Sequence, residues 1–359
     1  MVGGCEPVNC ARGLDSRNVT SCGYCAGNKD ESNAIFDENT LPLRDLLKVY
    51  RRLGYSYIPW DGVTARPILD WDGRLFAALA GRPTDQEYAE ACKIAFDAIN
   101  LTEKSAAFKP IHLHHKRGDF PAVNIGVTHG IGTTGPMNHQ NGQLNATLSN
   151  LLKDPNLERI SSFQDGIYIT CYSCRRVLKF VSAAFQLWAP KLYAYYEENL
   201  GKIWKSYPHL RPGFANSVWP CTAINFGSKV YTWPHRDCMN LSFGWCSIVA
   251  LGKFDSKKGG HLVLPDLRLI IEFPSGSNIL ILSAILAHCN IPIHDSETRA
   301  SFTQFCAGEL FRYADCDLRT EKEVETVDPE QYVKLQKQKR TRWQDGLDKY
   351  TIWDRDNMC

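Results

Sequence analysis

After residue 220 the apolar residues stop recurring at helical spacing and begin to alternate. Between 221 and 312 the runs "CTAINF", "KVYTW", "CSIVAL", "HLVLPD", "RLIIEF", "NILILS" and "RASFTQF" follow one another, rich in Val, Ile, Phe and Trp and cut by Gly, Pro and Asp. Helices repeat apolar positions every three or four residues, whereas half-buried strands alternate with period two between turn formers. A series of short strands of this kind has open edges unless it packs or closes, so it points to a sandwich or a jelly-roll barrel.

Helices are expected around that core, giving an α+β chain. "LPLRDLLKVYRRL" has helical spacing over about 41–53, and Thr84 with Glu87 reads as a capping box for a helix running to about 99. Strand-like pieces and Gly/Asn-rich loops fill 108–150. Two further helices are expected over 174–188 and 190–206, the second with Pro190 in its first turn, where the missing N–H is harmless. A last helix, basic on one side, should begin at Asp328-Pro329 and continue through "EQYVKLQKQKRTRWQDGLDKY". The expected organisation is a loosely ordered Cys-containing lead-in over 1–40, a helical and mixed flanking region over 41–210, the strand-rich core over 211–320, and a C-terminal helix over 321–359 packed on the core.

Composition removes several function classes. With 41 Lys+Arg against 39 Asp+Glu, the chain lacks the strongly basic balance of many nucleic-acid binders, so contacts to phosphate would have to come from local groups: "HHKRG" (114–118), "KKGG" (257–260) and "KQKRTR" (337–342). The longest apolar run, 278–287, falls short of the ~20 residues needed to span a bilayer, so no membrane is expected, and the N-terminus lacks a signal-peptide pattern. A soluble intracellular protein is the expectation, with its 14 cysteines reduced. Cys5, Cys10, Cys22 and Cys25 form C-x4-C-x11-C-x2-C, a spacing able to hold a structural zinc, and Cys171 and Cys174 form a second pair.

Chemistry enters at "YTWPHRDCMN" (231–240). His-Arg-Asp occurs in kinase catalytic loops, and "GIGTTG" (130–135) matches a phosphate-cradling loop. The context fails: Pro136 stands where a helix should begin, no Asp-Phe-Gly follows, and Asn240 comes three residues after Asp237 instead of five. A metal clamp fits better. His235 and Asp237 alternate at a strand end and share a face, and His288 follows a later buried strand, "SAILAHCN". Two imidazoles and one carboxylate make the facial triad of non-heme Fe(II) oxygenases, which leaves positions open for a cosubstrate and O2. "HLHH" (112–115) has no carboxylate in chelating register and is set aside as a metal site.

Eleven residues beyond His288, Arg299 and Ser301 share a face of the strand "TRASFTQF". Guanidinium keeps its charge when buried and binds carboxylate through two parallel hydrogen bonds, so Arg299 suits the distal carboxylate of 2-oxoglutarate, with Ser301 adding a hydrogen bond and Asn225 reaching the other end.

These residues resemble the Fe(II)/2-oxoglutarate dioxygenases of the TET/JBP group, in particular its fungal branch, through "FPAVNIGV" (120–127), "FANSVWPCTAINFG" (214–227), the stretch 234–277 and "ETRASFTQFCAGELFR" (297–312). The resemblance covers about 105–320. It implies a double-stranded β-helix core, the cofactors Fe(II), 2-oxoglutarate and O2, methylated DNA as partner, and oxidation of the 5-methylcytosine methyl group after base flipping. It also implies base contacts from Asn240, three residues after the metal Asp, and stacking from Phe305, six residues after the cosubstrate Arg. Ala307 stands where those relatives carry a base-contacting His, which leaves N6-methyladenine open as the target. The same chemistry on a small molecule or a protein side chain, and a silent DNA-binding module, are the competing readings. A nuclear monomer is expected.

Overall fold

The computed structural model describes residues 6–10, 14, 19–27, 43–130, 132–165 and 184–353. In chain order the elements are β1 (Val8–Asn9), α1 (Leu43–Arg52), β2 (Ser56–Ile58), β3 (Arg66–Leu69), β4 (Leu75–Gly81), α2 (Gln86–Ser105), α3 (Pro110–Leu113), β5 (Ala122–Thr128), β6 (Met137–Asn138), α4 (Leu144–Leu151), α5 (Pro155–Asp165), α6 (Ala184–Trp188) and α7 (Pro190–Ser206). The strand-rich segment contributes β7 (Cys221–Asn225), β8 (Cys246–Leu251), β9 (Leu262–Leu264), β10 (Leu269–Ile271), β11 (Asn278–Ile281), β12 (Cys289–Asn290) and β13 (Ala300–Phe305). Helices α8 (Gly308–Asp315), α9 (Glu321–Val327), α10 (Pro329–Gln338) and α11 (Arg342–Leu347) follow.

The described strands form a nine-stranded sheet, β1-β3-β4-β11-β8-β13-β7-β5-β6, and a four-stranded sheet, β12-β9-β10-β2. Within the first, β11, β8, β13 and β7 are antiparallel neighbours; within the second, β12, β9 and β10 are. The chain passes between the sheets as it goes: β7 in the first, a bridge at His235 to the second, back to β8, across to β9 and β10, back to β11, across to β12, and back to β13. That winding is a double-stranded β-helix, so the core is the α+β fold expected.

Each face of the large sheet has its own partner. Ile224, Val249, Leu251, Ala300 and Phe302 turn outward and are buried with Tyr88, Ala95 and Ile99 of α2, Leu148 of α4, and Leu157 and Ile160 of α5. The alternate residues of β13, Ser301, Thr303 and Phe305, turn inward to a cavity. Fully burying a side chain such as Phe302 stabilises by about 1.5–3 kcal/mol, so the helical layer fixes which face of β13 looks into the barrel.

Several expectations shift. The segment 41–210 does more than flank: β4 pairs with β11, β3 and β1 extend the same edge, β5 and β6 extend the other, and β2 adds to β10. Within 1–40, Val8 pairs with Ile68 in a parallel bridge and Tyr24 is 1% exposed, so these described pieces are packed, not loose. The second helix is capped by Asp85 instead of Thr84, because the Asp85 carboxylate accepts from the Tyr88 N–H at 2.8 Å, and it runs on to Ser105. Of the 174–188 helix only Ala184–Trp188 falls among the described residues. The last helix is interrupted between Gln338 and Arg342, where Arg342 turns inward over the Tyr24 ring at 4.0 Å and donates to the Cys22 carbonyl. Among the described residues no helix is long and apolar enough to cross a membrane.

Candidate metal centre and its cavity

Pro234 has no N–H, so the segment leading to His235 makes isolated bridges instead of a regular ladder: Lys229 with Arg299, and His235 with His288. In the second bridge His235 N–H donates to the His288 carbonyl at 3.1 Å, and His288 N–H returns the bond at 3.0 Å. Directly paired residues point to the same face, which brings the two imidazoles to 4.2 Å between ring centroids. Asp237, two residues on, shares the His235 side and is held by its N–H on the Ser283 carbonyl at 2.9 Å. Among the described residues, His235, Asp237 and His288 are the one His/Cys/Asp/Glu group whose ligand atoms lie within 4.8 Å of one another.

The donor set suits a cation. His235 Nδ1 lies 2.8 Å from the Trp233 carbonyl and His288 Nδ1 3.0 Å from the Leu286 carbonyl. A carbonyl only accepts, so both Nδ1 atoms carry the proton and both Nε2 atoms present lone pairs to Asp237, the tautomer used by metal-ligating histidines. Each Nε2 is 3.8 Å from an Asp237 oxygen, too far for a hydrogen bond. Three acceptors thus face one another without a donor among them, and a divalent cation is what satisfies them. Burial and the neighbouring His288 push the His235 pKa well down, so that ring is neutral near pH 7. Burial alone would raise Asp237, but His235, His288, Arg117 and Lys116 together hold its carboxyl below the usual range.

The triad opens on a cavity of about 350 Å³ whose wall includes Asn225, Asn240, Ser301, Thr303, Phe305 and Ala307. Asn225 Nδ2 donates to Ser301 Oγ at 3.0 Å, and the buried Asn225 Oδ1 has no partner. Asn240 Nδ2 donates to Ser283 Oγ at 3.0 Å. Arg299 immediately precedes β13, two residues before Ser301, and is 1% exposed. Its Nη1 donates to the Val230 carbonyl at 2.9 Å, its Cζ lies 5.9 Å from the rings of Phe254 and Phe273, and its Nε is unpaired. No described carboxylate forms an ion pair with it, and burial pushes its pKa down to about 10. A buried cation without a counter-charge is costly, and a carboxylate ligand is its natural complement.

The structure therefore brings together the predicted triad, Ser301, Asn225, Asn240 and Phe305 around one cavity, while Arg299 lies buried two residues before Ser301 and outside the cavity wall. Sequence reading missed the second wall. Thr232 and Asn290, joined by a hydrogen bond of 3.0 Å, and Asn124, Thr128 and His139 from the β5–β6 edge all face the same space. Asn290 does carry a local signal, lying two residues from His288 on the same strand face, whereas Thr232 lies an odd three residues before His235 and has none. Of the three basic groups only 114–118 reaches the cavity, through His115, Lys116 and Arg117. Lys258 pairs with Asp255 at 3.1 Å, Lys339 pairs with Glu321, and Arg342 is buried. His112 Nδ1 accepts from the Lys109 N–H, and no described metal group includes residues 112–115. Cys10, Cys22 and Cys25 do not converge as such a group either, while Cys5, Cys171 and Cys174 lie outside the described residues.

No protein-family model matches the sequence, and no curated protein matches it significantly. Among solved structures, the chain is similar to NgTET1 in complex with 5mC DNA, at 15% identity and a TM-score of 0.41 over 76% of this chain and 91% of that one. It is also similar to an oxidoreductase of the 2OG-Fe(II) oxygenase family from Burkholderia pseudomallei, at 17% identity and a TM-score of 0.31 over 75% of this chain and 92% of that one. A viral collagen prolyl hydroxylase from Paramecium bursaria Chlorella virus-1, in its 2OG complex, matches over 24% of this chain and 55% of its own, at 18% identity and a TM-score of 0.19. The fold assignment rests on the strand winding described above, not on these likenesses.

Next to the cavity wall, His261 is 0% exposed, its Nδ1 has no partner, and its Nε2 is 3.5 Å from the Tyr57 hydroxyl. Burial pushes its pKa down to about 4. Because the folded value is below the unfolded value of about 6.5, its stability contribution is complete above pH 6.5 and is lost as pH falls toward 4. At about 1.4 kcal/mol per pKa unit the loss is roughly 3 kcal/mol. Thermal midpoints of the metal-free protein measured across that window should fall steeply, and His261→Phe should flatten the fall.

Proposed function

We propose that the protein is an Fe(II)- and 2-oxoglutarate-dependent dioxygenase that oxidises a methylated base in DNA, with 5-methylcytosine as the first candidate. The observation that carries the reading is a donor-free His-His-Asp triad in the same barrel as a buried, uncompensated Arg299, which lies two residues before the cavity-lining Ser301. One site wants a cation and the other a carboxylate; the triad and Ser301 line one cavity, and Arg299 lies two residues before Ser301.

In this reading His235 Nε2, His288 Nε2 and an Asp237 oxygen hold Fe(II), with the Trp233 and Leu286 carbonyls fixing the imidazole tautomers. Arg299 and Ser301 hold the distal carboxylate of 2-oxoglutarate, and the free Asn225 Oδ1 and its amide orient the cosubstrate beside them. Iron, 2-oxoglutarate and O2 together supply oxidative decarboxylation to succinate and CO2 with insertion of one oxygen atom into a C–H bond. The protein's part is to present the methyl group and keep water out. Phe305 offers a ring for stacking, and Asn240, held by Ser283, offers its amide oxygen to a base edge. Lys116 and Arg117 at the same cavity provide cationic contacts for phosphate. Such a substrate places the enzyme in the nucleus.

The test is mass spectrometry of nucleosides from a 5-methylcytosine duplex incubated with the protein, Fe(II) and 2-oxoglutarate, beside His235→Ala. Oxidised cytosine that disappears in the variant is the expected result. Succinate formed without any change in methylcytosine would overturn the substrate and keep the chemistry, making N6-methyladenine the next base to try. Succinate formed equally without nucleic acid would favour a small-molecule or protein substrate.

A further inference from the structure

Asp237, Cys238, Met239 and Asn240 form a tight turn, closed by Asn240 N–H on the Asp237 carbonyl at 2.8 Å. Its two middle residues go opposite ways: Cys238 is 8% exposed, whereas Met239 is 46% exposed and still contributes to the cavity wall. A large apolar side chain therefore stands at the rim of the space that holds the metal ligands. The turn beneath it is fixed from several directions. Ala26 N–H donates to the Cys238 carbonyl at 2.9 Å, Gly308 N–H to the Met239 carbonyl at 2.9 Å, and Leu241 N–H to the Cys306 carbonyl at 3.0 Å. Beside it lies Gly130, at φ +111, where an added Cβ would press on the Glu309 side chain at 3.0 Å and reach only ordinary contact, 3.9 Å, with the Met239 methyl. On another part of the cavity wall is the cationic hairpin with Lys116 and Arg117.

An exposed methionine on a fixed turn has no packing reason to be there, and a single flexible apolar side chain is a poor platform for a polar substrate. It is well suited to entering a stack of bases, as apolar wedges do when they unstack a duplex step. We infer that Met239 is the wedge that occupies the gap left in duplex DNA when the target nucleotide swings into the cavity. This rests on the methylated-DNA reading above and adds a duplex-specific positioning residue to it. Asp237 and Asn240 bracket Met239 in the same turn, so the wedge, the metal ligand and the base-edge contact move as one unit.

A wedge acts only where there is a stack to hold open. The experiment compares kcat/KM on a 5-methylcytosine duplex and on the same strand single-stranded, for the unsubstituted protein, Met239→Ala and Met239→Leu. Extrusion costs a few kcal/mol in a duplex and less from a single strand, so Met239→Ala should lower the duplex-to-single-strand ratio by about tenfold, and Met239→Leu should restore most of it. An unchanged ratio, including equal losses on both substrates, overturns the wedge. If the unsubstituted protein oxidises neither substrate, the methylated-DNA reading falls first and the wedge with it; activity on both with a flat ratio removes the wedge alone.

Discussion

Replacing Arg299 with methionine should raise the thermal stability of the ligand-free protein and abolish 2-oxoglutarate binding in the same step. The two effects have opposite signs because one charge causes both. Without ligand, the guanidinium is 1% exposed, unpaired with any described acid and pushed down to about 10 by burial. Methionine removes that desolvation cost and keeps much of the contact with Phe254 and Phe273, at the loss of one hydrogen bond to the Val230 carbonyl. Replacing even a paired buried charge with well-packed apolar side chains is often neutral or stabilising by about 1–4 kcal/mol, and the lost hydrogen bond costs about 1, so for this uncompensated charge a net gain of about 1–2 kcal/mol is expected. Differential scanning calorimetry with and without 2-oxoglutarate reads both halves. The unsubstituted protein should be stabilised by about 2.7 kcal/mol at a ligand concentration 100 times Kd, and the variant should show no ligand-dependent shift. A destabilised variant that still responded to 2-oxoglutarate would remove Arg299 from the cosubstrate site.

The second large effect belongs to Asp237. Asp237→Ala leaves two neutral-tautomer imidazoles without the anion that completes the donor set, and it removes the only acid within reach of both Nε2 atoms among the described residues. Fe(II) affinity should fall by well over the 10–100-fold typical of losing an outer-shell partner, and oxidation should become undetectable. Isothermal titration with Fe(II) or Mn(II) under anaerobic conditions checks the binding half without turnover. Unchanged metal affinity would mean that the three residues are a polar cluster and not a metal centre.

The parts legible from sequence share a property: the chemistry was carried by residues at fixed even spacing on strands. His235 and Asp237, and Arg299 and Ser301, could be assigned to common faces because alternation is local. His288 could be joined to them because a barrel must bring separated strands together. The sheet edges were not legible. "LFAALAG" became β4, buried at all but Ala80, although alanine is a weak strand former, since what holds it is pairing with β11, about two hundred residues away. Thr128 and His139 reach the cavity only because β5 pairs with β7, a contact that no local pattern announces. The interrupted last helix has the same origin: helical spacing continued through 339–341, but burial of Arg342 against Tyr24 prevailed over propensity.

That meeting of Arg342 with the Cys22–Tyr24 segment also sets a timetable. The turn carrying Asp237 and Met239 is held from behind by Ala26 and Gly308, Ser242 is tied to Gly23 and Tyr24, Tyr24 donates to Asp315, and Tyr350 donates to the Phe243 carbonyl at 2.7 Å. Residues from both ends of the described chain thus converge on the turn that carries Asp237 and on the segment just after it. On the ribosome, His235 and Asp237 emerge more than a hundred residues before Tyr350 and His288 about sixty before it, so the supports of this turn are complete only after the last of these helices has been released and docked. If the triad holds a metal as proposed, loading is then a late event in the life of each chain, and a nascent chain stalled between residues 288 and 342 carries all three triad residues without the support that holds them in place.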